Sequence, residues 1–561
     1  MSYLSDASLV MIPSGVEAGT VFTSKPAGGS ADLTFTRSND TATRVGPNGY
    51  IEKVRTNLLL QSNQFDTTWT TVNSSVTSGQ SGYDGSSDAW EIGLTASGGR
   101  VQEVNSQSGV QTYSVYAKAG TLDFVRLRVS ITGINVDAYF NLSSGTYAGS
   151  SVGSIIDANI ESVGGGWYRC SLTYDGTNTD IRIYPAIAYN DLTATSGNIY
   201  IQDAQLEYGT VATDYIPTTT AAVSVGPVAN VPRINFDPVL PRTGFLLWEP
   251  QRTNLIPYSE YIADSGWTKT DATATTNYAI SPDGYKNATL ISFTSGGFIV
   301  ESVTTTKSIG GQETISIFSN SDISGTFLKY GGGTAAGTDV EGREALGNGW
   351  FRYYVTRTFT EAETGLTQVI VAQSNVGDNV ILWGAQIEQG GYPTSYIPTY
   401  GAAVTRGNDD ADTPFASPLA TDGSATIFFH DLGVPDSDVI NATSASYRYQ
   451  ASTGNYVSLT TNDTAWRVRV QGGGSANYTG LNDHPKTSPI KVAVIVSSTH
   501  YSIFANGVKE VDNEPLTTTG DFSSIQVFRT NIQEDVGVRK TVQHLVFPTA
   551  LTDTQAIELT A

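Results

Sequence analysis

Short runs of alternating character dominate the chain. In YSVYAKA at 113–119, period two puts Tyr113, Val115 and Ala117 on one face and Ser114, Tyr116 and Lys118 on the other. Similar runs rich in Val, Ile, Tyr and Thr recur throughout, punctuated by Gly and Asp-Gly turns, while helix-period stretches are nearly absent. Many short strands without intervening helices predict an all-β chain of sandwiches of jelly-roll type. One helix is predicted, from about Thr552, with a Thr or Asp cap and apolar Ala556, Ile557 and Leu559. Asn506-Gly507 between alternating runs predicts a tight hairpin turn.

The pattern occurs twice. VRTNLLLQSN at 54–63 matches QRTNLIPYSE at 251–260, and Trp69 then falls opposite Trp267. Asp84-Gly85 matches Asp283-Gly284, TYSVYAK at 112–118 matches TISIFSN at 314–320, and GGGWYR at 164–169 matches GNGWFR at 347–352. IYIQDAQLE at 199–207 matches VILWGAQIE at 380–388, and each copy continues into a YIPT phrase. Landmark order is kept while loop lengths change, as expected of a duplicated folding unit. The predicted partition is an N-terminal segment 1–50 that packs on the first module or on another chain, a first module 51–226, its duplicate 227–406, and a different β-sandwich 407–561. Arg55 and Arg252 are expected to tie down the start of each copy, with the neighbouring Thr and Asn bonding short-range to the backbone.

Composition narrows the chemistry. The 31 basic and 53 acidic residues give a net charge of −22, which repels phosphate backbones and anionic membranes. No nucleic-acid partner and no membrane insertion are expected, and no apolar run approaches a membrane span. The single cysteine, Cys170, excludes an intramolecular disulfide and a multi-cysteine zinc site. His430, His484, His500 and His544 are scattered singly, without metal-ligand spacing. No Walker or GxSxG motif is present, so no cofactor is expected.

The remaining candidates are few. Asp409, Asp410 and Asp412 read either as a calcium-binding junction or as a solvated linker. Glu207 and Glu388, shared by both copies, read as turn-binding carboxylates rather than a glycosidase pair. Trp69/Trp267 and Trp167/Trp350 read as core residues, with paired sugar sites as the alternative. In the last domain, Tyr447 and Tyr449 on one run and Arg467 and Arg469 on another suggest a site for an acidic glycan, against the plainer reading of solvated strand faces.

Taken in order, VRTNLLLQSNQF, the Asp-Gly turn, YSVYAKA, GWYR, the AQLE/AQIE phrase and YIPT resemble the repeated carbohydrate-binding-module-like jelly roll of tailed-bacteriophage virion proteins. Residues 407–561, with KVAVIVSSTHYSIFANGVKEV and LVFPTALTDTQAIEL, resemble the concanavalin A/laminin-G-like fold. The resemblance implies a non-enzymatic tail or head fibre that sits in the virion and binds a host-surface glycan. It implies a homo-oligomer, a trimer in this class, docked through residues 1–50 on capsid or tail proteins. The alternatives are a head decoration or adaptor without a ligand, and a polysaccharide depolymerase.

Overall fold

The computed structural model describes residues 3–13, 15–25, 32–237, 244–321, 328–334, 336–346, 348–372, 379–414, 424–434, 447–452, 455–462, 464–472, 475–516, 524–527 and 538–561. Among these, the strands gather into five sheets of six to nine strands and three two-stranded ribbons, with one α-helix at Asp553–Thr560. The all-β expectation holds. Thr552 caps the helix in a reciprocal capping box with Gln555, and Asn506 and Gly507 take the left-handed conformations of a tight hairpin turn.

The first module is a pair of six-stranded antiparallel sheets. The strand Val110–Ala119 lies between Trp167–Asp175 and Asn198–Tyr208 in one sheet, and Phe124–Ile131 lies between Ile134–Asn141 and Asn178–Ala186 in the other. Period two sends Tyr113, Val115, Ala117, Cys170, Leu172, Ile199 and Ile201 into one core with Trp69 and Phe65. The second module repeats the plan, with Trp267, Ile315, Ile317, Leu382 and Ile387 in its core. Its strands form one eight-stranded sheet that runs through the long strand Ala288–Lys307, which pairs with Asn379–Gln389 at one end and with Glu363–Ala372 at the other. Trp69 and Trp267 are therefore interior residues.

The third sandwich is assembled from widely separated pieces of chain. Leu9–Met11 pairs with Arg539–Phe547, and Gly244–Trp248, which lies between the two modules, pairs with that same strand. On the facing sheet, Leu33–Thr36 pairs with Asp410–Pro414. Leu9, Met11, Val21, Leu33, Phe35, Leu246 and Trp248 thus share a core with Phe429, Val457, Trp466 and Val494. Pieces of chain from before the first module and from between the two modules therefore join the last sandwich. The strands Leu9–Met11, Leu33–Thr36, Arg233–Phe236 and Gly244–Trp248 complete the base sandwich, and both modules are insertions into it.

The crossings are tied by buried charge. Arg37 leaves the base, Arg233 returns to it, Glu249 leaves again, and Arg406 and Asp409 return. Arg37 bonds Asp409 at 3.0 Å, Arg233 bonds Glu249 at 2.7 Å and also Asp409, and Arg406 bonds Glu249 at 3.0 Å. Burial opposes its ionisation, but Arg406 and Arg233 outweigh this and hold the Glu249 carboxyl down to about 2. Asp409, a candidate calcium ligand from sequence, is instead neutralised by two guanidinium groups. Asp410 lies in the Asp410–Pro414 strand, the side chain of Asp412 is outside the described residues, and no metal-type cluster occurs among the described residues.

Candidate functional site

Of the four residues singled out for glycan binding, Tyr449 does not share a face with Arg467 and Arg469. Tyr449 is fully buried in the base core, its hydroxyl 3.3 Å from His544 Nδ1, and His544 in turn lies 3.3 Å from Asp431. Cross-strand register explains the separation. Tyr449 lies opposite Val457, which lies opposite Val470, whereas Arg448 lies opposite Ser458 and then Arg469. Arg467 and Arg469 are half-buried on the outer face, where Arg448 and Tyr456, and not Tyr449, are their described neighbours. The guanidinium carbons of Arg448 and Arg469 lie 4.2 and 5.0 Å from the Tyr456 ring centre. Tyr447 pairs with Leu459 through its backbone, and its side chain lies outside the described residues.

A richer arrangement lies on the outer face of the first module. The backbone register places Trp167, Lys118 and Tyr200 in one row across three strands, and Arg169, Tyr116 and Gln202 in the next. Tyr83, from the Asp-Gly turn, stacks on Tyr116 at 3.8 Å and 7°, with Trp167 edge-on to it at 6.4 Å and Arg169 over the Tyr116 ring at 5.3 Å. Tyr116 and Trp167 are buried beneath, while Tyr83, Tyr200, Lys118 and Arg169 are half-exposed above. Polar groups crowd one end of this aromatic floor: Gln202 Nε2 donates to Asp88 at 2.9 Å and Asp84 at 3.3 Å, and Tyr83 Oη donates to Asp203 Oδ2 at 3.0 Å.

Asp203 stands on a bulge. Ser114 pairs with Gln205 and Tyr116 with Gln202, so residues 203 and 204 together oppose the single residue Val115, and Asp203 takes the left-handed φ of +53°. Burial pushes its carboxyl up to about 6, with Asp88 and Asp84 adding to the rise against hydrogen bonds from Tyr83 and Tyr215.

The duplicate has the same face filled by its own chain. Phe318, Trp350, Trp383 and Tyr396, at the places of Tyr116, Trp167, Gln202 and Tyr215, form a cluster closed by Ile51 of the Thr43–Lys53 hairpin. Ile51 N donates to Pro282 O at 2.8 Å, and Lys53 Nζ lies 2.7 Å from Glu260 and 3.0 Å from Asp283. Burial opposes the ammonium, but Asp283 and Glu260 outweigh it and hold Lys53 well above the ordinary lysine range. Beside the hairpin, a cavity of about 470 Å³ lies between the second module and the base, walled by Phe245, Leu247, Phe318, Leu346 and Val538. Several of its polar groups already serve the protein: Asn235 accepts from Val45 N, Arg352 holds Ser316 and Thr394 O, and Ser395 holds Glu249.

Shared carboxylates are equally engaged. Thr213 N donates to Glu207 Oε1 at 2.8 Å with Gln205 Nε2 at 2.6 Å, and Glu388 repeats this with Thr394 and Gln386. Both bind the turn that follows their strand, as the sequence predicts.

No family model matches the chain, and no curated protein matches it. Among solved structures, it is similar to domain 4 of AbnA, a GH43 extracellular arabinanase from Geobacillus stearothermophilus solved with arabinotriose. That likeness has 12% identity and a TM-score of 0.21, covering 28% of this chain and 73% of that one. It is also similar to the N-terminal CBM22-1–CBM22-2 tandem of Xyn10C from Paenibacillus barcinonensis, at 12% identity and a TM-score of 0.17, covering 59% of this chain and 97% of that one. At these scores neither likeness bears on what the chain does.

Proposed function

We propose that the protein is a non-enzymatic glycan-binding structural component of a tailed-phage virion, a fibre that holds a host-surface saccharide on the outer face of its first module. One observation carries the binding reading. Aromatic rings and hydrogen-bonding side chains share a half-exposed sheet face in the first module, while the hairpin fills the equivalent face of the second. Sugars present apolar ring faces that stack on aromatic side chains and hydroxyls that take polar neighbours. The virion assignment rests on the sequence resemblance, with its two in-order copies of the module. A non-catalytic role is supported by the engagement of Glu207 and Glu388 in their own turns. Assembly as a homo-oligomer, a trimer in this class, would multiply a weak single-site affinity.

The test uses the full chain on a glycan array and in competition for phage adsorption to susceptible cells. Wild type is expected to bind a defined glycan set and to lower adsorption. Tyr200→Ala with Lys118→Ala is expected to weaken binding by about tenfold or more, the scale of one lost stacking or charged contact. Unchanged array binding by the double variant would remove the first module from the binding role. No array binding and no competition by wild type would leave a decoration or adaptor protein.

A further inference from the structure

The two copies of the module treat one position differently. In the second, Asp283 of the Asp-Gly turn grips the Lys53 ammonium, which the hairpin delivers onto the face. In the first, Asp84 holds the same place in the same turn: its Oδ1 accepts from Ser86 N at 3.0 Å, as Asp283 Oδ1 accepts from Tyr285 N at 3.1 Å. Among the described residues, no hairpin reaches it. Around Asp84 stand Asp88 and Asp203, joined through Gln202 and Tyr83, and no ion pair involves any of the three among the described residues.

Asp203 is a costly residue at its position. Its left-handed φ of +53° is one that glycine adopts freely, and the second module has Gly384 there at +63°. A neutral Asn would tolerate the same backbone and still accept the Tyr83 hydroxyl. Placing a buried acid beside two others raises the charge problem instead of relieving it, so the cluster is built to receive positive charge. The net charge of −22 adds a general attraction for cations.

Resting on the reading of this face as the saccharide site, we infer that the bound glycan carries a free amine, and that Asp203, with Asp84 and Asp88, receives its ammonium while the sugar ring lies on the Tyr83–Trp167 floor. The ammonium takes the part that Lys53 plays in the duplicate. The rise of the Asp203 carboxyl to about 6 makes the attraction fade as pH falls through that value.

Titration calorimetry on the full chain tests this with a glucosamine hexamer, its fully N-acetylated counterpart and cellohexaose. The glucosamine hexamer is expected to bind at least about tenfold tighter than either neutral chain, the scale of one charge-assisted hydrogen bond. Asp203→Asn and Asp203→Gly should each abolish the preference, and Asp203→Gly should leave thermal stability equal or higher because it restores the residue of the second copy. n-Hexylammonium chloride probes the charge without the sugar, and its binding should weaken between pH 7 and pH 5. Equal or tighter binding of the neutral hexamers, untouched by Asp203→Asn, would overturn the inference and leave saccharide binding standing. Binding of n-hexylammonium that Asp203→Gly removes, with no hexamer bound, would keep the ammonium site and sink its assignment to an amino sugar. Failure of all four probes would overturn the inference, while the saccharide reading would still be decided by the glycan array.

Discussion

Asn57 and Asn254 show how little of a residue's task is local. Each side chain donates to two carbonyls, Ala204 and Ile216 in the first module, Ala385 and Ile397 in the second, and each accepts from a nearby backbone N–H. The repeated Arg-Thr-Asn phrase announces a shared role, but the sequence reading expected short-range bonds, and the main partners lie 147 and 159 residues away. The arginines diverge, Arg55 reaching Tyr285 of the other module and Arg252 lying over Tyr392. Asn57→Ala should cost roughly 2–3 kcal/mol by denaturant unfolding, because it strands buried carbonyls and amides. Glu103 and Glu301 make a second residue-scale pair. Burial pushes both carboxyls up to about 7, with Leu60 N pulling Glu103 down, Asp264 adding to the rise at Glu301 and Lys269 opposing it. A carboxyl raised on folding stabilises fully below its ordinary pKa, and the contribution is lost as pH rises through the folded value. The melting temperature should therefore fall from pH 5 to pH 7.5. Glu103→Gln with Glu301→Gln should flatten that slope, adding roughly 1 kcal/mol per site at pH 7.5 after solvent screening.

Among elements, the Thr43–Lys53 hairpin is the one whose role could not be read from its own residues. Its alternation marks a short strand pair, and nothing in it says that it precedes one module and packs on the other. Lys53→Met should destabilise the second module by about 3–5 kcal/mol, since Glu260 and Asp283 would keep buried charge without a cation. Glu260→Gln with Lys53→Met should recover part of that loss, and no recovery in the double variant would mean that packing, not charge, holds the hairpin. Strand register set a similar limit in the base. Period two correctly separated Trp466, Val468 and Val470 from Arg467 and Arg469, but it carries no information on which face of the neighbouring strand lines up. Pairing decided that Arg448, not Tyr449, joins the arginines. Trp167 and Trp350 follow the same rule: both are buried, as expected of core residues, yet on the sheet face opposite the sandwich interior.

As a whole molecule, the chain is a base sandwich with two modules threaded through it. Residues 405–561 expressed alone should not fold, because they lack the strands that carry Leu9, Met11, Leu33, Phe35, Leu246 and Trp248, each worth about 1.5–3 kcal/mol of burial. Circular dichroism and proteolysis of that fragment would check it, and a cooperatively melting fragment would refute the shared-core account. Arg233→Met at the crossings should cost about 3–5 kcal/mol, leaving Glu249 and Asp409 short of a cation at a junction common to all three bodies.

Alternation, turn residues and the twice-written landmarks determined the all-β class, the duplicated module, the terminal helix and the turn-binding roles of Glu207 and Glu388. All of these follow from local periodicity, or from comparing one copy with the other. Tertiary structure decided the rest: that Leu9–Met11 and Gly244–Trp248 belong to the last sandwich, that Asp409 faces arginines, and that one module's aromatic face is filled while the other stays half-exposed. Those outcomes depend on contacts between residues hundreds of positions apart, where periodicity gives the face of a strand but not its partner.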